Sequence, residues 1–176
     1  VSNMDSKKRM MFNIDDDYYY ITIKIIIILI RLDCFKNKFS DYRKLAYIIL
    51  FLKSNESIKL FNKSLEDYNK LSIFEREQLV GIYYKGCIYQ PIIKRVLFFL
   101  EKKDIITLEK NIKLTCIDVK ITKNKDIKNT FSSGKFDYDI EKVDILYKQF
   151  NRIRSVKYDT FIQRVFGDSE VSKWEC

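Results

Sequence analysis

Residues 72–121 read SIFEREQLVGIYYKGCIYQPIIKRVLFFLEKKDIITLEKNIKLTCIDVKI, and the order of signals in this stretch sets the fold expectation. Ser72-Ile73-Phe74-Glu75 is a capping box: the serine hydroxyl accepts from the Glu75 amide, and the glutamate reaches back to the Ser72 amide. The spacing predicts a helix to about Lys85, where Gly86 offers a left-handed C-terminal cap. Pro91 stands where a first helical residue belongs. Ile92, Ile93, Val96, Leu97 and Leu100 then form one apolar stripe, which ends near Lys103-Asp104. Ile105 to Leu108 reads as a strand, Glu109-Lys110-Asn111 as a turn, and Ile112 to Ile121 as a second strand. The apolar alternation changes phase within that second strand, which points to a bulge or twist. Helix, tight turn, helix and hairpin is the order of a winged helix-turn-helix. The expected class is therefore mainly α (α+β), a winged helix-turn-helix core with a β-hairpin wing and additional N- and C-terminal helices.

Upstream, Tyr18 to Phe35 carries an uninterrupted apolar run from Ile25 to Ile30. Its isoleucines favour a strand, but its length favours a buried helix with apolar residues on every side. Lys24 interrupts it, and the run is far shorter than the roughly 20 residues that span a bilayer. Ser40 is a candidate N-cap for an amphipathic helix using Tyr42, Leu45, Ala46, Ile49 and Leu52. A shorter helix follows over Ser57 to Asn69. Downstream, Thr122 to Lys135 is polar and reads as a loop or linker, followed by helices over Ile140 to Ile153 and Lys157 to Phe166. The chain divides into an N-terminal tail (1–17), a winged-helix core (18–121), a linker (122–136) and a C-terminal helical extension (137–176).

The 176 residues suffice for one core without staples. Apolar residues make up 47 %, which excludes a disordered chain. Four glycines and one proline are too few for a turn-dense β-barrel or sandwich. Met4 to Asp17 is charged and lacks the apolar segment of an export signal. Cys34, Cys87, Cys116 and Cys176 show no metal-ligand spacing, and read as reduced thiols in a cytoplasmic protein.

The chain has no histidine. That removes the commonest general base and the usual Ser-His and Cys-His pairs. Neither a GxxxxGK[ST] loop nor a GxGxxG fingerprint occurs. Asp15-Asp16-Asp17 and the pair Asp137 and Asp139 are carboxylates that suit capping and solvation better than a metal. Asp118 and Lys120 give a bare D-x-K pattern, too little for a nuclease site. No enzyme, metal or cofactor is expected. The balance of 33 Lys and Arg against 24 Asp and Glu leaves a net charge of +9, which fits contact with nucleic acid or with an acidic protein face. Lys94, Arg95, Lys102 and Lys103 on the Pro91 helix, with Lys110 and Lys113 on the wing, are the expected phosphate contacts. Aromatic pairs such as Tyr83-Tyr84 and Phe98-Phe99 cannot both face one core, since adjacent helical residues diverge by roughly 100°. Some aromatic surface is thus left for a partner. Tyr147, Phe150, Tyr158, Phe161 and Phe166 on the C-terminal helices are the expected partner-binding set.

Two segments carry a family likeness. They are Asp41-Tyr42-Arg43-Lys44-Leu45-Ala46-Tyr47, and the stretch from Arg76 through Ile82-Tyr83-Tyr84-Lys85-Gly86 to Val96-Leu97-Phe98-Phe99-Leu100. With the order of elements, they make the chain, over roughly residues 20 to 121, resemble the middle components of bacterial ABC-three-component systems, the class that includes Lamassu-type antiphage defence. The resemblance implies a non-catalytic subunit that binds an SMC-like ATPase and couples it to an effector, often a nuclease, with DNA touched through its backbone and no membrane involved. The runner-up is a free-standing winged-helix DNA-binding transcriptional regulator.

Overall fold

The computed structural model describes residues 18–122, 125–131 and 133–167. Helix α1 covers residues 18–31, and six successive residues from Lys24 to Leu29 are buried. An isoleucine-rich stretch of this length does become a helix, because it is packed on all sides. The helices α2 (Arg43–Phe51) and α3 (Asn55–Asp67) follow, separated by only three residues, with Ser54 capping α3 by accepting from the Ser57 amide. A 3-10 turn (Tyr68–Lys70) leads to α4 (Ile73–Lys102). The hairpin β1 (Ile106–Asn111) and β2 (Cys116–Ile121) comes next, then α5 (Lys125–Phe131), α6 (Asp137–Gln149) and α7 (Tyr158–Phe166). The fold is mainly helical with one two-stranded antiparallel hairpin.

The capping box at Ser72 and Glu75 is formed as read. The turn expected after it is not. Helix α4 runs for 30 residues straight through Gly86 and Pro91, so the two helices expected at Ser72–Lys85 and Pro91–Lys103 are one. Packing overrides both local breakers. Leu79, Tyr83, Gly86, Tyr89, Ile93, Val96, Leu97 and Leu100 are all buried along a single stripe of α4, which lies chiefly against α2. Gly86 is there for space, not for a cap: a Cβ on it would stand 2.2 Å from Cε1 of the fully buried Tyr47 ring. Pro91 is exposed and costs the helix one amide donor. The helix stops where expected. Asp104 takes a left-handed φ of 57°, and the Ile105 amide donates to the Leu100 carbonyl at 3.0 Å.

The hairpin is shifted from its expected register. Glu109-Lys110-Asn111 belongs to β1, and residues 112–115 make the turn. Asn111 explains the shift: its Oδ1 accepts from the Leu114 amide at 3.2 Å, and its Nδ2 donates to Asp118 at 3.1 Å. Pairing from Ile106↔Ile121 to Asn111↔Cys116 is unbroken, so the phase change is not a bulge. It arises because Asp118 and Val119 are both buried. β2 is flanked on both edges. On the side away from β1, Phe39 exchanges backbone bonds with Val119 at 2.8 and 2.9 Å, and the Ile121 amide donates to the Cys34 carbonyl.

The C-terminal helices are part of the core. Val143, Leu146, Phe150, Phe161, Ile162, Val165 and Phe166 are buried in the same cluster as α1 and α2. Arg31 pairs with Asp144 through bonds of 2.6 to 2.9 Å, and Lys24 pairs with Asp139, which ties α1 to α6. The stretch expected as a linker contains α5. Cys34 and Cys116 are buried free thiols, whereas Cys87 is disulfide-bonded, which corrects the reading of all four as reduced. Burial pushes the Cys34 thiol up to about 12. Asp15, Asp16, Asp17 and Cys176 lie outside the described residues.

Candidate functional site

Besides the single buried lysines Lys24 and Lys142, two regions depart from the ordinary inside-outside pattern. The first is the start of α2. The expected cap, Ser40, does not serve, and the N-cap residue Tyr42 makes no side-chain cap bond; Asp41 before it anchors the turn instead. Asp41 has φ 60°, and its Oδ1 accepts from the Arg43 amide at 3.1 Å while its carboxylate takes the Arg43 guanidinium. The Asp41 amide in turn donates to Asp118 Oδ1 at 3.1 Å. Lys44 is fully buried, and its Nζ donates to the carbonyls of Ile153, Arg154 and Val156 at 2.8, 3.2 and 2.6 Å. An ammonium has three donors, and here all three are used. Burial still lowers the Lys44 amine to about 7, against the opposing pull of Asp41 and Asp118. Tyr47 extends the network: its hydroxyl meets that of Tyr158 at 2.9 Å, and the Gln90 amide donates to both. Burial raises the Tyr47 phenol well above its ordinary value. One polar network thus fastens α2 to the hairpin, to α4 and to the α6–α7 connection. Each group is spent on a neighbour, so the cluster holds the fold. Asp118 of the D-x-K pattern belongs to it, and Asp139 is held by Lys24. Among the described residues no three Cys, Asp or Glu side chains gather as a metal site.

The second region is the outer face of α4. It carries Ile73 (80 % exposed), Phe74, Tyr84, Ile88 (68 %), Phe98 and Phe99 (54 %). That is half of the large exposed apolar side chains on the described surface. Tyr83 points inward while Tyr84 points out, as the divergence of neighbours requires; Phe98 and Phe99 both point out. Lys94, Arg95 and Lys102 are exposed on the same helix. Lys94 lies over Phe98 and Lys103 over Phe99, at 5.9 and 5.8 Å from the ring centres, so cations and aromatics share one surface. Lys103, Lys110 and Lys113 are exposed beyond the end of α4 and on the hairpin, beside Ile112 at the hairpin tip. All six expected phosphate contacts are therefore solvent-facing.

The expected partner set fares differently. Phe150, Phe161 and Phe166 are buried, and Tyr158 is half-buried and bonded to Tyr47; only Tyr147 reaches the surface. These side chains fill the core because α7 packs back on α2, α3 and α4. Three of the exposed positions on α4 went unread in the sequence: Phe74, Glu77 and Ile88. Their signal was the seven-residue spacing of the helix, which Gly86 and Pro91 concealed. The buried Lys44 was signalled by the apolar residues around it from Leu45 to Leu52. Open grooves run between α3 and α6 and between α3 and the first half of α4.

No helix among the described residues is long and apolar enough to cross a membrane. No family model, curated protein or solved structure matches the chain.

Proposed function

We propose that the chain is a non-catalytic small subunit that binds an SMC-like ATPase and couples it to a separate effector in antiphage defence, as its resemblance to ABC-three-component systems implies. The observation that supports an assembly role is the outer face of α4. Six exposed aromatic and aliphatic side chains on one side of a single helix, interspersed with cations, are costly to leave in water and mark a contact surface. The finer fold reading is a modified winged helix. In it α1, the Phe39 bridge, α2, α4, β1 and β2 take the usual order, and α3 is inserted before the long third helix.

Co-expression with the ATPase and effector encoded beside it tests the role. The tagged chain should carry the ATPase through size exclusion, and should show no hydrolase or nuclease activity alone. Recovery of the chain alone from such cells defeats the subunit reading. Removing residues 137–176 is not a clean test, because that segment contributes to the core.

The six exposed cations favour a second reading, a free-standing regulator that binds DNA. The subunit reading expects weak, sequence-indifferent binding that falls steeply with salt. Tight binding to a single operator at physiological salt would promote the regulator. A cytoplasmic location belongs to the proposal, and the disulfide at Cys87 pulls against it. Alkylation in intact cells decides that point: a modified Cys87 supports a reducing compartment, a protected one opposes it.

A further inference from the structure

The outer face of α4 has a pattern that says what would cover it. From residue 74 to residue 102, steps of three and four alternate along the helix, and every position they reach is exposed. They form one exposed seam, about 45 Å of helix at 1.5 Å per residue, with large apolar side chains at Phe74, Tyr84, Ile88 and Phe98 and the charges of Glu77 and Arg95 between them. The two halves of the seam are unlike. The first half carries Phe74, Glu77, Gly81 and Tyr84, and the second carries Ile88, Pro91, Arg95 and Phe98.

We propose that this seam pairs antiparallel with α4 of a second copy of the chain, forming a two-fold dimer. The proposal rests on reading the face as a contact surface and names its occupant. In an antiparallel pair, the two kinds of seam position meet each other in layers. One register then matches every residue of the first half with a suitable residue of the second. Phe74 meets Phe98 of the second copy, two exposed aromatic rings. Glu77 meets Arg95, two opposite charges, neither of which forms an ion pair with another described residue. Gly81 meets Pro91; a Cβ at Gly81 would find nothing within 4 Å, so the position has room for the ring. Tyr84 meets Ile88, an aromatic on an aliphatic. The two-fold axis makes each pairing occur twice. A parallel pair would instead set Glu77 against Glu77 and Arg95 against Arg95, so charge selects the antiparallel form. The buried stripe of α4 lies on the side away from the seam, and α3 flanks its first half across open grooves that Phe74 and Gly81 help to line.

Charge exchange is the decisive experiment. By size exclusion with light scattering, the wild-type chain should run at twice its 21.2 kDa. Glu77→Arg or Arg95→Glu alone turns two symmetric attractions into repulsions, and should weaken dimerisation about tenfold. The double variant E77R/R95E should recover the wild-type dimer, since each copy again presents both partners. Ile88→Asp should abolish the dimer, with the helical circular dichroism of the chain retained. A wild type that stays monomeric at all concentrations overturns the proposal, and so does a dimer that none of these substitutions affects. A double variant as weak as either single one overturns the register. A monomeric wild type whose Ile88→Asp variant nonetheless loses a co-expressed ATPase would mean that the face docks a different protein. The pairing would then fall while the subunit reading stood.

Discussion

The start of α2 and the outer face of α4 are opposites. Around Asp41, Lys44 and Asp118 the chain buries charge; along Ile73 to Phe99 on α4 it exposes rings and branched aliphatics. Both look anomalous, yet only one is unfinished. Lys44 has three acceptors, Asp118 has two nitrogen donors and Asp41 has Arg43, so the polar network is complete within the chain. A buried charge without partners would be strongly destabilising, and the network is what makes its burial tolerable. The apolar face has ring and cation contacts within α4 itself, at Tyr84, Phe98 and Phe99, but Ile73, Phe74 and Ile88 remain largely exposed. Completion separates a region that builds the fold from one that meets something else. It is a better guide than chemical oddity, since Lys44 is the odder group of the two.

The contrast can be broken at the point where α4 meets the network. Gly86→Ala should have the largest effect. A methyl group would overlap the Tyr47 ring at 2.2 Å, and Tyr47 is held by Tyr158 and Gln90. The helix gains about 1 kcal/mol of propensity from alanine, but overpacking of this kind costs more, about 3 kcal/mol here. Urea denaturation should show a net loss of about 2 kcal/mol or no folded protein at all. An unchanged midpoint would mean that α2 and α4 are not in close contact.

Asp118→Ala should cost slightly less, about 1.5 kcal/mol. It strands the buried Asp41 amide and frees Asn111 from β2 without creating a large cavity. Since the turn depends on Asn111, amide exchange should quicken first across residues 111–116. A loss confined to global unfolding, with no local change, would remove Asp118 from the hairpin.

Lys44 gives a smaller effect that depends on pH. Its folded value near 7 lies below the ordinary value of 10.5, so above pH 7 the unfolded chain binds more protons than the folded one. Stability should therefore rise with pH through that window, by at most about 1.4 kcal/mol per unit. Cys34 acts in the opposite sense only above its ordinary value of 9.0, because burial holds its proton on in the folded state. The interval from pH 7 to 8.5 thus isolates the lysine. Lys44→Met should flatten the slope there; a slope that persists belongs to another group.

How much of this the sequence discloses depends on whether local or distant forces decide. The capping box at Ser72 and the end of α4 at Asp104 are decided locally and are legible, and the buried isoleucine helix is legible from its length, against its local β propensity. Gly86 and Pro91 were not, because their local reading is a break, and it is overridden by a stripe of apolar contacts spread over 30 residues. Asn111 was taken for a turn residue on composition, whereas its side chain works across the hairpin with Asp118. The cations were located correctly on the surface, since charge rarely goes elsewhere. Three of the C-terminal aromatics expected at a partner surface, Phe150, Phe161 and Phe166, are core residues instead. Nothing in the spacing of Phe150, Phe161 and Phe166 reveals that α7 folds back over Tyr47, and their rings look as free in sequence as Phe98 does.

The smallest expected effect sharpens the comparison most. Ile88→Ser and Phe98→Ser remove apolar groups as large as many in the core, yet both stand on the outer face of α4. In dilute protein, where any association is negligible, each should shift the unfolding free energy by less than about 0.5 kcal/mol, the range of ordinary surface substitutions. The same change at a buried position of the same helix, Leu97→Ala for example, should cost about 2–5 kcal/mol. Repeating the melts at rising concentration then separates surface from interface. An association that involves the folded chain alone adds stability as concentration rises. The wild type should gain midpoint with concentration, and the serine variants should gain less. Equal gains would leave the outer face of α4 as mere surface, and a large loss in dilute protein would return Ile88 and Phe98 to the core.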